Sequence, residues 1–310
     1  MILFTTKKEP FNRADDIYYL ELFKGFLCSS LQTKVFFVAR TKPGSVPKEC
    51  FRKISVRGEY VKTAFVFWFL RNIQLINKEK VFYTNEPGIA RIFLLFKKVK
   101  LTSAKLVFDW HVFYYPIRKT RHLLKADLSI TTSLKLKNHL IKYGGVEQKI
   151  KVVYGGVNTD LYKSFGDISP TPFSFGYVGL FKTLGMEKGI KICIDALKYL
   201  PDNFTCVCVG ARFNELEEYM GYGRDQGVAA RLKIIERVPQ SEVPFWQKNI
   251  NFLVIPYPDK PHFRDFGFPM KVYEYMATGH PIIYSQLELV EEVISDCATP
   301  FIPDNPKSLA

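Results

Sequence analysis

The sequence predicts an α/β protein of two doubly wound parallel-sheet domains facing across a cleft. Short runs rich in Val, Ile and Phe alternate with longer segments of helical period, the pattern of strand–helix–strand crossover units. That alternation breaks once, in a stretch dense in Gly, Ser, Pro and Asp, and then restarts. At 310 residues, 47% hydrophobic and 15% aromatic, the chain is long and apolar enough for two cores of about 150 residues each.

In the first half, strands are expected at 2–5, 34–39, 80–84, 105–109, 127–131 and 149–154. Amphipathic helices are expected at 16–27, 60–76, 88–98 and 133–143. The break, LYKSFGDISPTP over 161–172, reads as a linker. Beyond it, strands are expected at 173–178, 204–209, 232–236, 251–256 and 281–285. Helices are expected at 187–200, 214–226, 240–248, 269–278 and 287–295. The domains then run from 1 to 163 and from 164 to 310. At the end, Asp304-Asn305-Pro306 supplies a capping residue and a proline suited to the first helical position. The sequence stops four residues later, which reads as a truncated chain.

Composition excludes several classes. Lys and Arg number 44 against 30 Asp and Glu, a net charge of +14, yet apolar residues are too many for intrinsic disorder and no collagen-like or coiled-coil repeat is present. Six scattered cysteines show no metal-ligand spacing and read as buried thiols of a reducing compartment, with Cys206 and Cys208 on one side of a strand. The five histidines share no spacing that implies a metal either, and no cofactor is expected. The start MILFTTKKEPF is too short an apolar run for a signal peptide, and the greasiest stretch, 63–76, is interrupted by Arg71. A cytoplasmic protein follows. The excess of cations calls for an anionic partner: nucleic acid, a membrane surface or a phosphorylated substrate. The cations are spread through both halves without a nucleic-acid-reading motif, so nucleic acid is not expected. The stretch at 63–76 reads as a core helix, with peripheral contact to an anionic membrane as the alternative.

In open parallel sheets, ligands bind beyond the carboxyl ends of the strands. Those edges here are Thr5-Thr6, Asn85-Glu86, His111, 131–133, Gly155-Gly156, 179–188, Gly210-Ala211 and 256–268. In FGYVGLFKTLGMEKG (175–189), a buried strand leads into glycines, Lys182, Lys188 and then a helix. Glycines let backbone approach a ligand, and a helix start offers free N–H groups, a combination suited to phosphate; the alternative is a turn with solvated lysines. No GxxxxGK[ST] is present, so this is not a P-loop. In DFGFPMKVYEYMATGHPIIYS (265–285), Pro269 begins a helix and Gly279 follows its end. Lys271 then sits in the first turn, where the helix dipole disfavours a cation unless an anion faces it. Glu274 shares that face and suits sugar hydroxyls; the alternative is a surface pair with Lys271, worth about half a kcal/mol. His111 directly follows the strand LVFDW, where it either donates to a ligand oxygen or is structural, with Asp109 two residues earlier to orient it.

Taken together, KIKVVYGGVNTDLY, GYVGLFKTLGMEKGIKICIDAL and FPMKVYEYMATGHPIIYSQLELVEEVI resemble the retaining glycosyltransferases of family 4, group 1, from about residue 105 to the end. The resemblance implies the GT-B fold of two Rossmann-like domains, with a nucleotide-sugar donor held mainly by the C-terminal domain. It also implies an acceptor, a glycan or lipid-linked molecule, held mainly by the N-terminal one. Glu274 matches the second acid of the family's E-x7-E motif, which binds the nucleotide ribose, and Lys188 matches the lysine that faces the diphosphate. Lys182 supplies a second cation, because Leu180 replaces the family's arginine after Gly179, and His111 matches the histidine that contacts the transferred sugar. Gly179, Lys271, Asp265 and Pro269 complete the expected donor-binding set.

The departures are also specific. Phe266 stands eight residues before Glu274 where the family has its first acid, with Asp265 one place away. The loop TTKKEPFNRADD lacks the glycines common there, and the C-terminal helix that returns to the first domain is missing. They favour, as the alternative function, a non-catalytic member that binds nucleotide sugar or a partner glycosyltransferase.

Overall fold

The computed structural model describes residues 1–4, 22–26, 36–39, 46–54, 61–110, 120–183, 185–267 and 270–310. These form two compact units, Met1–Tyr154 and Gly155–Ala310.

The first unit is built on seven strands: β1 (Ile2–Phe4), β2 (Phe36–Ala39), β3 (Phe51–Lys53), β4 (Val81–Thr84), β5 (Lys105–Trp110), β6 (Leu128–Thr131) and β7 (Ile150–Val152). Their order is β3-β2-β1-β4-β5-β6-β7, with every adjacent pair parallel. Residues of β1 and β2 are buried throughout, as a sheet covered on both faces requires, which is why those runs carry no polar alternation. Edge strand β3 is half-exposed and reads FRK, so it gives no such signal and was not expected.

The stretch expected as one helix at 60–76 is two, Val61–Arg71 and Ile73–Glu79. Asn72 marks the break, donating its side-chain amide to the Trp68 carbonyl at 2.7 Å in competition with the helix. Phe65, Trp68 and Phe69 are buried, and Phe65 packs edge-on to Phe4 with centroids 5.0 Å apart. This is a core element, as its composition implied. Among the described residues no helix is long and apolar enough to cross a membrane.

The second unit has β8 (Thr171–Val178), β9 (Lys182–Thr183), β10 (Met186–Glu187), β11 (Thr205–Ala211), β12 (Leu232–Glu236), β13 (Ile250–Ile255), β14 (Ile282–Ser285) and β15 (Thr299–Phe301). Six of them form a parallel sheet in the order β12-β11-β8-β13-β14-β15, while β9 and β10 make a separate antiparallel hairpin. Gly210 and Ala211, expected beyond a strand, lie inside β11. Cys206 and Cys208 are buried with their sulfurs 3.7 Å apart, on one side of β11 as a two-residue spacing demands.

Residues 155–163, read from sequence with the first domain, belong to the second unit. Within them the turn of helix Asp160–Lys163 buries Tyr162, whose hydroxyl donates to Gln247 at 2.8 Å. At the other end, Asn305 caps the helix Pro306–Leu309 by accepting from the Ser308 N–H at 3.0 Å, as the Asn-Pro pair implied. Leu309 is buried where this helix packs on the helix Ile190–Ala196.

Candidate functional site

In the second sheet β8 and β13 are neighbours, and the strand order reverses between them, so the loops leaving their carboxyl ends diverge and open a crevice there. The loop after β8 becomes the β9–β10 hairpin, closed at its base by the Lys188 N–H donating to the Phe181 carbonyl at 2.9 Å. The following residue, Gly189, has φ +90° and lies so close to the first residue after β13 that a Cβ would stand 1.7 Å from the Pro256 oxygen. Only glycine fits this junction, and it sets Lys188 beside the loop 256–268.

Lys188 is half-buried, and its ammonium is pulled down to about 8, first by burial and then by repulsion from Lys271, with attraction from Glu274 opposing both. Both of those residues come from the helix Met270–Met276. Lys271 Nζ donates to Glu274 Oε2 at 2.5 Å, and the side chains keep only 15% and 12% of their exposure. A pair so enclosed is not the solvated surface pair weighed above. Gly179, at the end of β8, leaves room for it: a Cβ there would stand 2.6 Å from Lys271 Cε. Sequence and structure thus bring Gly179, Lys188, Lys271 and Glu274 together at one sheet edge.

Three further residues of this edge were not singled out by sequence. Gln247, fully buried on the helix Val243–Asn249, donates from Nε2 to Glu274 Oε2 at 2.8 Å while its Oε1 accepts from Tyr162. His262 stands in a π-helical turn, His262–Phe266, where burial and the Lys188 charge lower its imidazole below the ordinary value. The signal for Gln247 was present: a polar residue at helical spacing between apolar Val243 and Ile250. No local pattern marked Tyr162, and His262 was marked only by lying in the strand-end segment 256–268.

Other expected residues are placed differently. Lys182 pairs with Glu218 at 2.7 Å and lies over the Tyr219 ring, 5.7 Å from its centroid. Asp265 is held by Arg264 at 3.1 Å, and Arg264 also reaches Asp259 at 3.0 Å. In the first unit Asp109 accepts from the Tyr83 hydroxyl at 2.5 Å. His111 and Pro269 lie outside the described residues.

Two ammonium groups beside a carboxylate, at the edge where α/β sheets bind ligands, suit a molecule that carries a diphosphate next to hydroxyls. Comparison with known sequences agrees with this chemistry: the sequence model of the family described as "Glycosyl transferases group 1" matches residues 172–310. That match lies wholly within the second unit, which starts at Gly155.

Over 172 residues the chain is 27% identical to a protein of Methanocaldococcus jannaschii described as an uncharacterized glycosyltransferase. That match spans 55% of this chain and 43% of the relative's length. Among solved structures, the Anabaena protein HepE in complex with UDP superposes with a TM-score of 0.70 at 17% identity, covering 99% of this chain and 86% of that one. The lipopolysaccharide outer core galactosyltransferase WaaB superposes with a TM-score of 0.73 at 17% identity, covering 99% and 87%. These likenesses show the fold of both units, which is GT-B.

Proposed function

We propose that the chain is a glycosyltransferase that moves a sugar from a nucleotide-sugar donor to a glycan, lipid-linked or other acceptor, with retention at the anomeric carbon and without a divalent metal. The convergence of Lys188, Lys271 and Glu274 at the edge of β8 and β13 carries this reading. Breaking a sugar–phosphate bond develops negative charge on the departing diphosphate. Fixed cations that meet it in a half-buried site stabilise that charge more than water does. In this reading Lys188 and Lys271 face the diphosphate, Gly179 lets backbone approach it, and Glu274 accepts from the ribose hydroxyls. Pro269 belongs to the donor-binding set, and His111 contacts the transferred sugar. Lys182, held by Glu218, is given no part in this clamp.

HepE in complex with UDP supports the choice of donor class, since it shares this fold. The first unit would take the acceptor. Its exposed Phe67 and Leu70, beside Arg71 in a chain of net charge +14, fit contact with an anionic membrane surface.

A second reading, a member that binds donor without transferring sugar, draws on Phe266 in place of the first acid and on the engagement of Asp265 by Arg264. One assay separates the two. Nucleotide sugars are offered to the wild-type chain and to Lys188→Ala, and release of nucleoside diphosphate is followed. Transfer by the wild type, lowered at least about a hundredfold in the variant, is expected from the loss of one transition-state contact. Binding without release favours the second reading, and equal turnover by both chains refutes the role of Lys188.

A further inference from the structure

We propose that Gln247, itself anchored by Tyr162, is a positioning residue that fixes which oxygen of Glu274 meets the donor. The proposal rests on the reading of Glu274 as the acceptor of ribose hydroxyls and adds a second layer to it.

The geometry is a one-way relay. The Tyr162 hydroxyl donates to Gln247 Oε1 at 2.8 Å, and Gln247 Nε2 donates to Glu274 Oε2 at 2.8 Å. Gln247 has no exposed surface and Tyr162 only 4%. Because a phenol donates to the amide oxygen, the amide nitrogen must face the carboxylate; a flipped amide would set two acceptors against each other. Lys271 joins at the same oxygen, at 2.5 Å. Both donors therefore end on Oε2, and neither uses Oε1.

A carboxylate on a flexible glutamate arm otherwise samples rotations about its last torsion, which is broad. Two charge-assisted hydrogen bonds on one oxygen stop that rotation and aim the second oxygen's lone pairs outward. The cost of ordering the acceptor is then met on folding, before a ligand arrives. Nothing in this relay touches the donor apart from Glu274, so Gln247 and Tyr162 act through that residue. The three relay residues come from three segments, the turn 160–163, the helix Val243–Asn249 and the helix Met270–Met276, so the relay also ties the stretch after residue 154 to the site.

Isothermal titration against UDP, GDP and ADP, and against the 2′,3′-dideoxy form of whichever binds best, tests the relay. The wild type is expected to prefer the ribonucleotide by at least about tenfold, the scale of one hydrogen bond to a charged group. Gln247→Leu should lower that ratio to near one while leaving affinity for the dideoxy form unchanged, and Tyr162→Phe should lower it part-way. Gln247→Glu gives a signature that a packing role would not. Above pH 7 its carboxylate repels Glu274, and toward pH 5 a shared proton restores a donor, so the ratio recovers on acidification while the wild-type ratio stays level. The other ionisable groups facing Glu274 are Lys271, Lys188 and the phenols of Tyr162, Tyr177, Tyr257 and Tyr275, which burial, first of all, keeps neutral between pH 5 and 7. If the wild type discriminates but Gln247→Leu and Gln247→Glu discriminate equally well, the relay is overturned while the ribose reading stands. A wild type that binds both forms alike, or none of these nucleotides, overturns the ribose or donor reading and the relay with it.

Discussion

The hydroxyl of Tyr275 accepts the Val178 N–H at 2.9 Å, so the helix that carries Lys271 and Glu274 is tied to the last residue of β8. Tyr275 is buried, and burial, first of all, holds its phenol in the neutral form. The bond fixes the height of the helix against the strand end from which Gly179 departs. Tyr275→Phe should leave the Val178 N–H buried and unpaired, lowering stability by about 1–3 kcal/mol. Chemical denaturation checks this value, and a change below a few tenths would show that the bond does not hold the helix.

Gly189→Ala should be among the most damaging single substitutions in the second unit. A left-handed backbone at +90° and a Cβ 1.7 Å from the Pro256 oxygen leave alanine nowhere to go without moving the loop after β13. A loss of more than about 2 kcal/mol in thermal or chemical unfolding is expected.

Some of this was readable in advance. Buried parallel strands announced themselves as unbroken apolar runs, and Asn305-Pro306 announced a helix start because capping is local chemistry. The Lys271–Glu274 pair was legible for the same reason, since residues three or four apart on one helix must meet, whereas the hairpin β9–β10 was not, and the helix expected from 187 begins at Ile190. What stayed hidden depends on partners distant in sequence. Tyr162 sits in a stretch with the composition of a linker, and its partner is 85 residues away. Edge strands β3 and β15 bury few residues and so lack the apolar signature. Lys182 carried the same charge and lay as near to the glycines as Lys188, and only the fold shows that Glu218 claims it.

That last difference makes a prediction. Lys182→Ala should lower affinity for a nucleoside diphosphate by no more than about threefold, because the residue is partly exposed and already paired. Titration of the variant beside Lys188→Ala would decide between one central lysine and two equal ones.

The lowered Lys188 ammonium also sets a pH dependence. Its folded value, about 8, lies below the 10.5 of an ordinary lysine, so between those values the unfolded chain binds more protons than the folded one. Stability of the ligand-free protein should therefore rise with pH across that window. Affinity for a diphosphate should move the other way, falling by up to about tenfold per pH unit above 8 as the ammonium loses its proton. Lys188→Arg should flatten both trends, since a guanidinium stays charged.

The most direct measurement compares a nucleoside diphosphate with its nucleoside, UDP against uridine and likewise for GDP and ADP, by titration of the wild type and of Lys188→Ala. Tight binding of one diphosphate, weak binding of its nucleoside, and loss of most of that difference in the variant is the predicted result. Equal affinity of the wild type for both members of every pair, or a preference that Lys188→Ala leaves intact, would contradict it.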